Sequence, residues 1–224
     1  MLSYITTYGL MLLYFSLFFL AVKTTHESRG GNLSDMLAGK SEPGILFNRL
    51  MAGIFFLGIS TAMLVAKRNF DFKIYNPFVG EGSWIWICVT GLAIAVGVIS
   101  GNKKIAAENS AHFLPPYLPL AYVAIRTLFL IIYEFFFRGA MLFVMAGDFG
   151  VTIAVIINLA LYVLVHWYDK KERYGSVIIG GIFCWLTIYY HSVWPAIFVH
   201  VGLSLGYEIT LILNNQSLIK KIRL

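Results

Sequence analysis

The chain has 224 residues, of which 59% are hydrophobic and 12% charged, with a mean hydropathy of +0.77. A soluble domain carries charge on about a quarter of its residues, so the composition excludes one and points to a polytopic membrane protein. The net charge of +6 is scattered in twos and threes, without the clustered basic face interleaved with aromatics that a nucleic-acid binder needs, so no nucleic-acid partner is expected.

A helix crossing about 30 Å of hydrocarbon at 1.5 Å per residue needs about 20 apolar residues. In chain order the sequence predicts seven such spans: Ser3–Val22, Ile45–Ala66, Trp84–Ser100, Leu118 to about Ala146 with Gly139 as the one candidate break point, Val151–His166, Ser176–Tyr190 and Val193–Leu213. The fold class is therefore an all-α transmembrane bundle in one integral domain, 1–224. The first span lacks a basic n-region and an A-x-A cleavage site, and its apolar run is too long for a signal peptide, so it is expected to stay attached. Two long polar stretches, Thr24–Gly44 and Lys67–Ser83, carry Gly-Gly, Asn-Pro and Pro-Gly turn chemistry and read as loops. Asn32-Leu33-Ser34 is a glycosylation sequon by pattern, read as chance in a loop assigned to the cytoplasm. Cys88 and Cys184 both fall inside predicted spans and read as small core residues, with no disulfide or thiolate metal site.

Orientation follows from the basic residues. Loops after odd-numbered spans and the C-terminal segment hold Lys23, Arg29, Lys40, Lys103, Lys104, Lys170, Lys171, Arg173, Lys220, Lys221 and Arg223. The loop after the second span holds Lys67, Arg68 and Lys73. The positive-inside rule then predicts a cytoplasmic C-terminus, with the lipid bilayer as the obligatory partner.

Charge inside the spans needs a reason, because an ionisable group at bilayer depth costs at least about 2.5–3.5 kcal/mol on insertion scales and marks a functional-site hypothesis. Glu134 and Arg138 are four apart, Asn158, Tyr162 and His166 are spaced by four, and so are His200, Ser204 and Glu208. Residues four apart share a helix face, so three polar stripes are expected to point at the bundle interior. Gly202 and Gly206 lie two residues out of phase with His200, on roughly the opposite face, where a small-xxx-small pair lets another helix pack closely. Arg49, Arg126 and Glu208 sit near span ends and read as structural residues that snorkel. His112 and His191, in or beside loops, carry no signal.

The order Tyr133-Glu134-Phe135-Phe136-Phe137-Arg138-Gly139, then Tyr162–His166, then His191–Ser204 resembles the CPBP intramembrane protease family, which includes the CAAX prenyl proteases and bacteriocin self-immunity proteins. The family pattern is EExxxR, FxxxH and HxxxN on successive helices, and the region 118–213 resembles its catalytic core. The resemblance implies a membrane-embedded endopeptidase acting on membrane-associated, including lipidated, peptides. It implies His166 and His200 in the site, with Tyr162 at the Phe position, Ser204 in place of the asparagine, and Glu134 and Arg138 as the second glutamate and the arginine. The first glutamate of the pattern falls on Tyr133. In the family that glutamate and the first histidine are thought to position and activate water, while the second histidine and the asparagine stabilise the oxyanion.

Peptide hydrolysis without a covalent intermediate needs a general base within reach of a water and donors aimed at the developing oxyanion. A phenol with an unperturbed pKa near 10 is a poor base. Glu134 cannot simply replace it, since adjacent helical residues point about 100° apart; a rotation or a π-bulge would be required. Depth adds a condition: Glu134 lies about 24 Å into a helix entering at Leu118, so it meets His166 only if that helix runs on through Gly139. The expected catalytic set is Glu134, His166, His200 and Ser204, with Tyr133, Arg138, Tyr162 and Asn158 structural around it. No cofactor is expected, and a metal ion held by Glu134, His166 and His200 is the alternative their donor types leave open. The sequence contains no His-Glu-x-x-His zinc motif and no phosphate-binding loop. Two functions stand: an active endopeptidase, or a non-catalytic relative whose cavity binds a membrane-associated peptide or protein partner.

Overall fold

The computed structural model describes residues 2–27, 33–40, 42–67, 83–107, 117–168 and 170–214. The helices are α1 (Leu2–Glu27), α2 (Leu33–Leu37), α3 (Pro43–Lys67), α4 (Ser83–Ala107), α5 (Tyr117–Glu134), a π-helical segment (Phe135–Met141), α6 (Leu142–Phe149), α7 (Val151–Val165), α8 (Lys170–Tyr190) and α9 (Trp194–Leu213). Among the described residues no strand occurs. The calls on Arg29, Asn32, Arg68, Lys73, His112, Lys220, Lys221 and Arg223 lie outside them.

Five helical rods are long and apolar enough to cross a bilayer: α1, α3, α4, the continuous 33-residue rod Tyr117–Phe149, and α9. Shorter α7 and the basic-headed α8 occupy the two other stretches expected to span, but they are not among those five. The chain is an integral membrane protein. The fourth rod does not break at Gly139; it widens there into the π segment, with the Leu142 N–H bonded to the Phe137 carbonyl, and continues to Phe149. The condition set by the depth argument is thus met. The rod stops where only glycine serves, because Gly150 has φ of +84° and opens the next helix. Pro195 in the first turn of α9 sits where a missing N–H costs nothing.

Three packing relations place the site. First, α1 runs antiparallel along the whole fourth rod, from the Tyr8 hydroxyl donating to Asp148 (2.6 Å) to Phe15 stacked on Phe136 and Phe18 against Phe129 and Tyr133. Second, α5 and α9 are antiparallel, with Tyr122 opposite Glu208, Arg126 opposite Ser204 and Glu134 opposite His200. Third, α9 lies parallel to α4 on its other face. A Cβ on Gly206 would fall 2.8 Å from the Ile94 carbonyl oxygen and one on Gly97 would strike the Leu203 carbonyl oxygen, so backbones approach as closely there as glycine permits. The opposed faces of α9 expected from the sequence are both in use.

Candidate functional site

A cavity of about 360 Å³ lies among α3, α5, α7, α8 and α9; Tyr133, Tyr162, His166, His200 and Ser204 are in its wall. Two stripes therefore converge as expected. Glu134 does not line it, contrary to the reading in which it shares the cavity with the histidines. Its side chain is 0% exposed and lies behind His200, with one carboxylate oxygen 2.6 Å from His200 Nδ1 and the other 3.4 Å from Arg138 Nη1. The π segment begins at the residue after Glu134, yet the bulge does not bring this carboxylate to the cavity. The ~100° between neighbours still separates the pair: Tyr133 faces the space and Glu134 faces the packed interior.

Arg138, also 0% exposed, is held from several sides. Its guanidinium lies 4.0 Å from the centre of the Tyr162 ring, 5.3 Å from that of Phe183 and 5.5 Å from that of Phe137, and Nη2 donates to the Gly180 carbonyl at 3.4 Å. Aromatic faces and a carboxylate together make a buried cation tolerable. Gly180 has to be small, since a Cβ there would come within 3.0 Å of Tyr162 and 2.8 Å of Leu159. Asn158 serves the same framework. Its Nδ2 donates to the Phe137 carbonyl at 2.5 Å, bracing the widened turn, and Cys184 Sγ approaches its Oδ1 at 3.5 Å.

Both histidines have one nitrogen fixed by protein. His166 Nδ1 is 2.9 Å from the Tyr162 carbonyl, one turn back; a carbonyl only accepts, so Nδ1 carries the hydrogen and Nε2 keeps its lone pair. An ionised Glu134 imposes the same tautomer on His200. Two imidazoles thus offer unprotonated Nε2 atoms at one cavity. Tyr133 packs edge-on to His200 (5.9 Å between ring centres) and to Tyr162 (5.7 Å), 2% exposed, and its hydroxyl is buried without a hydrogen-bond partner among the described residues. Among the described residues no three His, Cys, Asp or Glu side chains converge as a metal-holding group, and the Glu134 oxygen nearest the imidazoles is already on His200 Nδ1.

Sequence reasoning missed the second half of the cavity wall. Arg126 and Glu208, read as snorkelling residues, point inward and pair with each other: Arg126 Nε lies 3.1 Å from Glu208 Oε1, Arg126 Nη2 donates to Ser204 Oγ at 3.0 Å, and the Tyr122 hydroxyl donates to Glu208 Oε1 at 2.9 Å. Arg49 and Glu172, of opposite charge, are in the same wall. The available signal was the spacing of Tyr122, Arg126 and Tyr133, which puts them on one face of α5 at i, i+4 and i+11.

Residues 115–206, less than half of the chain, match the family model described as Type II CAAX prenyl endopeptidase Rce1-like. With the helical architecture, this match supports a CAAX-protease-like integral membrane protein and the recognition of the CPBP family from its motifs. No curated protein and no solved structure matches it.

Proposed function

We propose that the cavity is a hydrolytic site for peptide bonds of membrane-associated substrates, with His200 as general base and Glu134 as the residue that positions it. The observation that carries this reading is the 2.6 Å contact between the buried Glu134 carboxylate and His200 Nδ1. A carboxylate there fixes the ring and its tautomer and faces the positive charge that the imidazole acquires on taking a proton, which is the work of the acidic member in carboxylate–histidine arrangements. Water adds to the peptide carbonyl carbon as its proton passes to His200 Nε2; the same proton then goes to the departing amine as the C–N bond breaks. His166 Nε2 supplies a second acceptor for that water. The base is thereby moved from the position occupied by Tyr133 to the adjacent helix α9. The substrate enters from lipid or cytoplasm, and the C-terminal segment lies on the cytoplasmic side.

A second reading is favoured by Tyr133 itself: a buried phenol where the family carries its first glutamate suits a cavity that binds a partner without cutting it. Product formation from a candidate substrate, followed by mass spectrometry in one detergent, separates the two. If His200 is the base, the unmodified protein cleaves, His200→Ala abolishes cleavage, Glu134→Gln lowers it by roughly 10²–10⁴, and Tyr133→Glu gives no gain. If the cavity only binds, the unmodified protein is silent, and Tyr133→Glu creates activity that depends on His166.

A further inference from the structure

Between α1 and α3 the chain does more than turn back. It forms α2, a helix of five residues whose Leu33, Met36 and Leu37 are buried and belong to the core of the bundle. So short a helix has no stability of its own in water, and α2 is helical because those side chains are seated. Its end is closed in a defined way. Gly39, with φ of +69°, lets the Lys40 N–H reach the Asp35 carbonyl at 2.8 Å and its own N–H reach the Met36 carbonyl at 3.1 Å, which stops the helix shortly before Pro43 opens α3. Since α1 ends and α3 begins at one end of the bundle, α2 lies at that end, the one that the basic residues predict to be cytoplasmic. The cavity occupies the same half of the molecule: its wall takes His166 just past the end of α7, the head of α8 from Glu172 to Ile179, and the second half of α9 from His200 to Glu208. Leu33 is part of that wall.

We infer that α2 is a lid seated across the mouth of the cavity at this end, and that a water-borne ligand reaches the two histidines only when Leu33, Met36 and Leu37 lift out of the core. Three apolar side chains are far less burial than a spanning helix brings, so α2 is the piece of the bundle whose local opening disturbs the rest least. The walls stay in place when it moves, because α5 and α9 are joined by their own polar contacts and α9 is seated on α4 at the glycine seam. The inference concerns access and holds whether the cavity cuts a peptide or only binds one.

The test uses the full chain in nanodiscs with a reporter thiol in the cavity wall, Ile179→Cys, on a Cys88→Ser background; Cys184 is buried and stays. The probe is a methanethiosulfonate carrying a sulfonate, which remains in water. Modification of the reporter is slow with the lid intact. It rises at least tenfold when Leu33→Ser/Met36→Ser unseats the lid and several-fold with Leu33→Ala, and Ala38→Ser, off the buried edge, leaves it unchanged. In the chain without substitutions, backbone amides of 33–40 exchange with solvent faster than those of α5. A modification rate indifferent to both loosening variants means that water reaches the cavity by another route and overturns the inference, as does exchange in α2 as slow as in α5. Should the double variant fail to fold, Leu33→Ala and the exchange measurement decide the matter.

Discussion

Arg138 and His200 both touch Glu134, but they do not hold it in the same way. Arg138 is fully enclosed and surrounded by aromatic rings, and among the described residues its removal leaves the Glu134 carboxylate without a permanently charged partner. Breaking a buried pair by deleting one partner typically costs about 3–5 kcal/mol, far more than the pair contributes over an apolar replacement. Arg138→Ala is therefore expected to lower the melting temperature and yield of detergent-extracted protein sharply. His200→Ala leaves the ion pair in place and opens toward the cavity, where the His200 side chain is already 13% exposed, so its loss should be much smaller. Equal melting temperatures for the two variants would show that the ion pair has no special structural weight.

At the level of elements, the π segment and the glycine seam do different work. The i→i+5 turn shifts every side chain after Glu134 out of α register while the rod continues, and Asn158 meets the carbonyl of Phe137 within that turn. The seam fixes α9 against α4. Gly97→Ala and Gly206→Ala place a methyl against backbone that cannot retreat, so each should destabilise the protein, whereas Gly91→Ala, which meets nothing within 4 Å, should be neutral or gain up to about 1 kcal/mol in helix propensity. Thermal unfolding of the three variants in one detergent checks this; a Gly206→Ala protein as stable as Gly91→Ala would mean that the helices separate freely. These elements also show what the sequence discloses. Spacings of four are enough to place Glu134 with Arg138 and His200 with Ser204. The same spacings could not say which face meets which: Arg126 and Glu208 are 82 residues apart, and only the antiparallel register of α5 and α9 makes them partners. The π turn was equally hidden, because Phe135-Phe136-Phe137 is as apolar in an α-helix as in a widened one.

For the whole molecule, the basic-residue asymmetry predicts a cytoplasmic C-terminal segment, and α4 and α9 run parallel, as two odd-numbered spans of one threading would. A fluorescent reporter fused after Leu224 should be active, and alkaline phosphatase fused there silent; the opposite pattern would invert the threading. The helical membrane class was readable because lipid punishes every exposed polar group, whereas the cavity's chemistry depends on where helices meet across the bundle. The seat of α9 between α4 and α5 has a further consequence for biogenesis. Both neighbours leave the ribosome before it, so α9 has to insert into a bundle whose flanks already stand in the membrane. Until it does, Glu134 lacks His200 and Arg126 lacks Glu208. The Glu134–Arg138 pair is already closed within its own rod, so the charge left waiting in the bilayer is Arg126, and that interval is the stage at which quality-control proteases are expected to meet the chain most exposed.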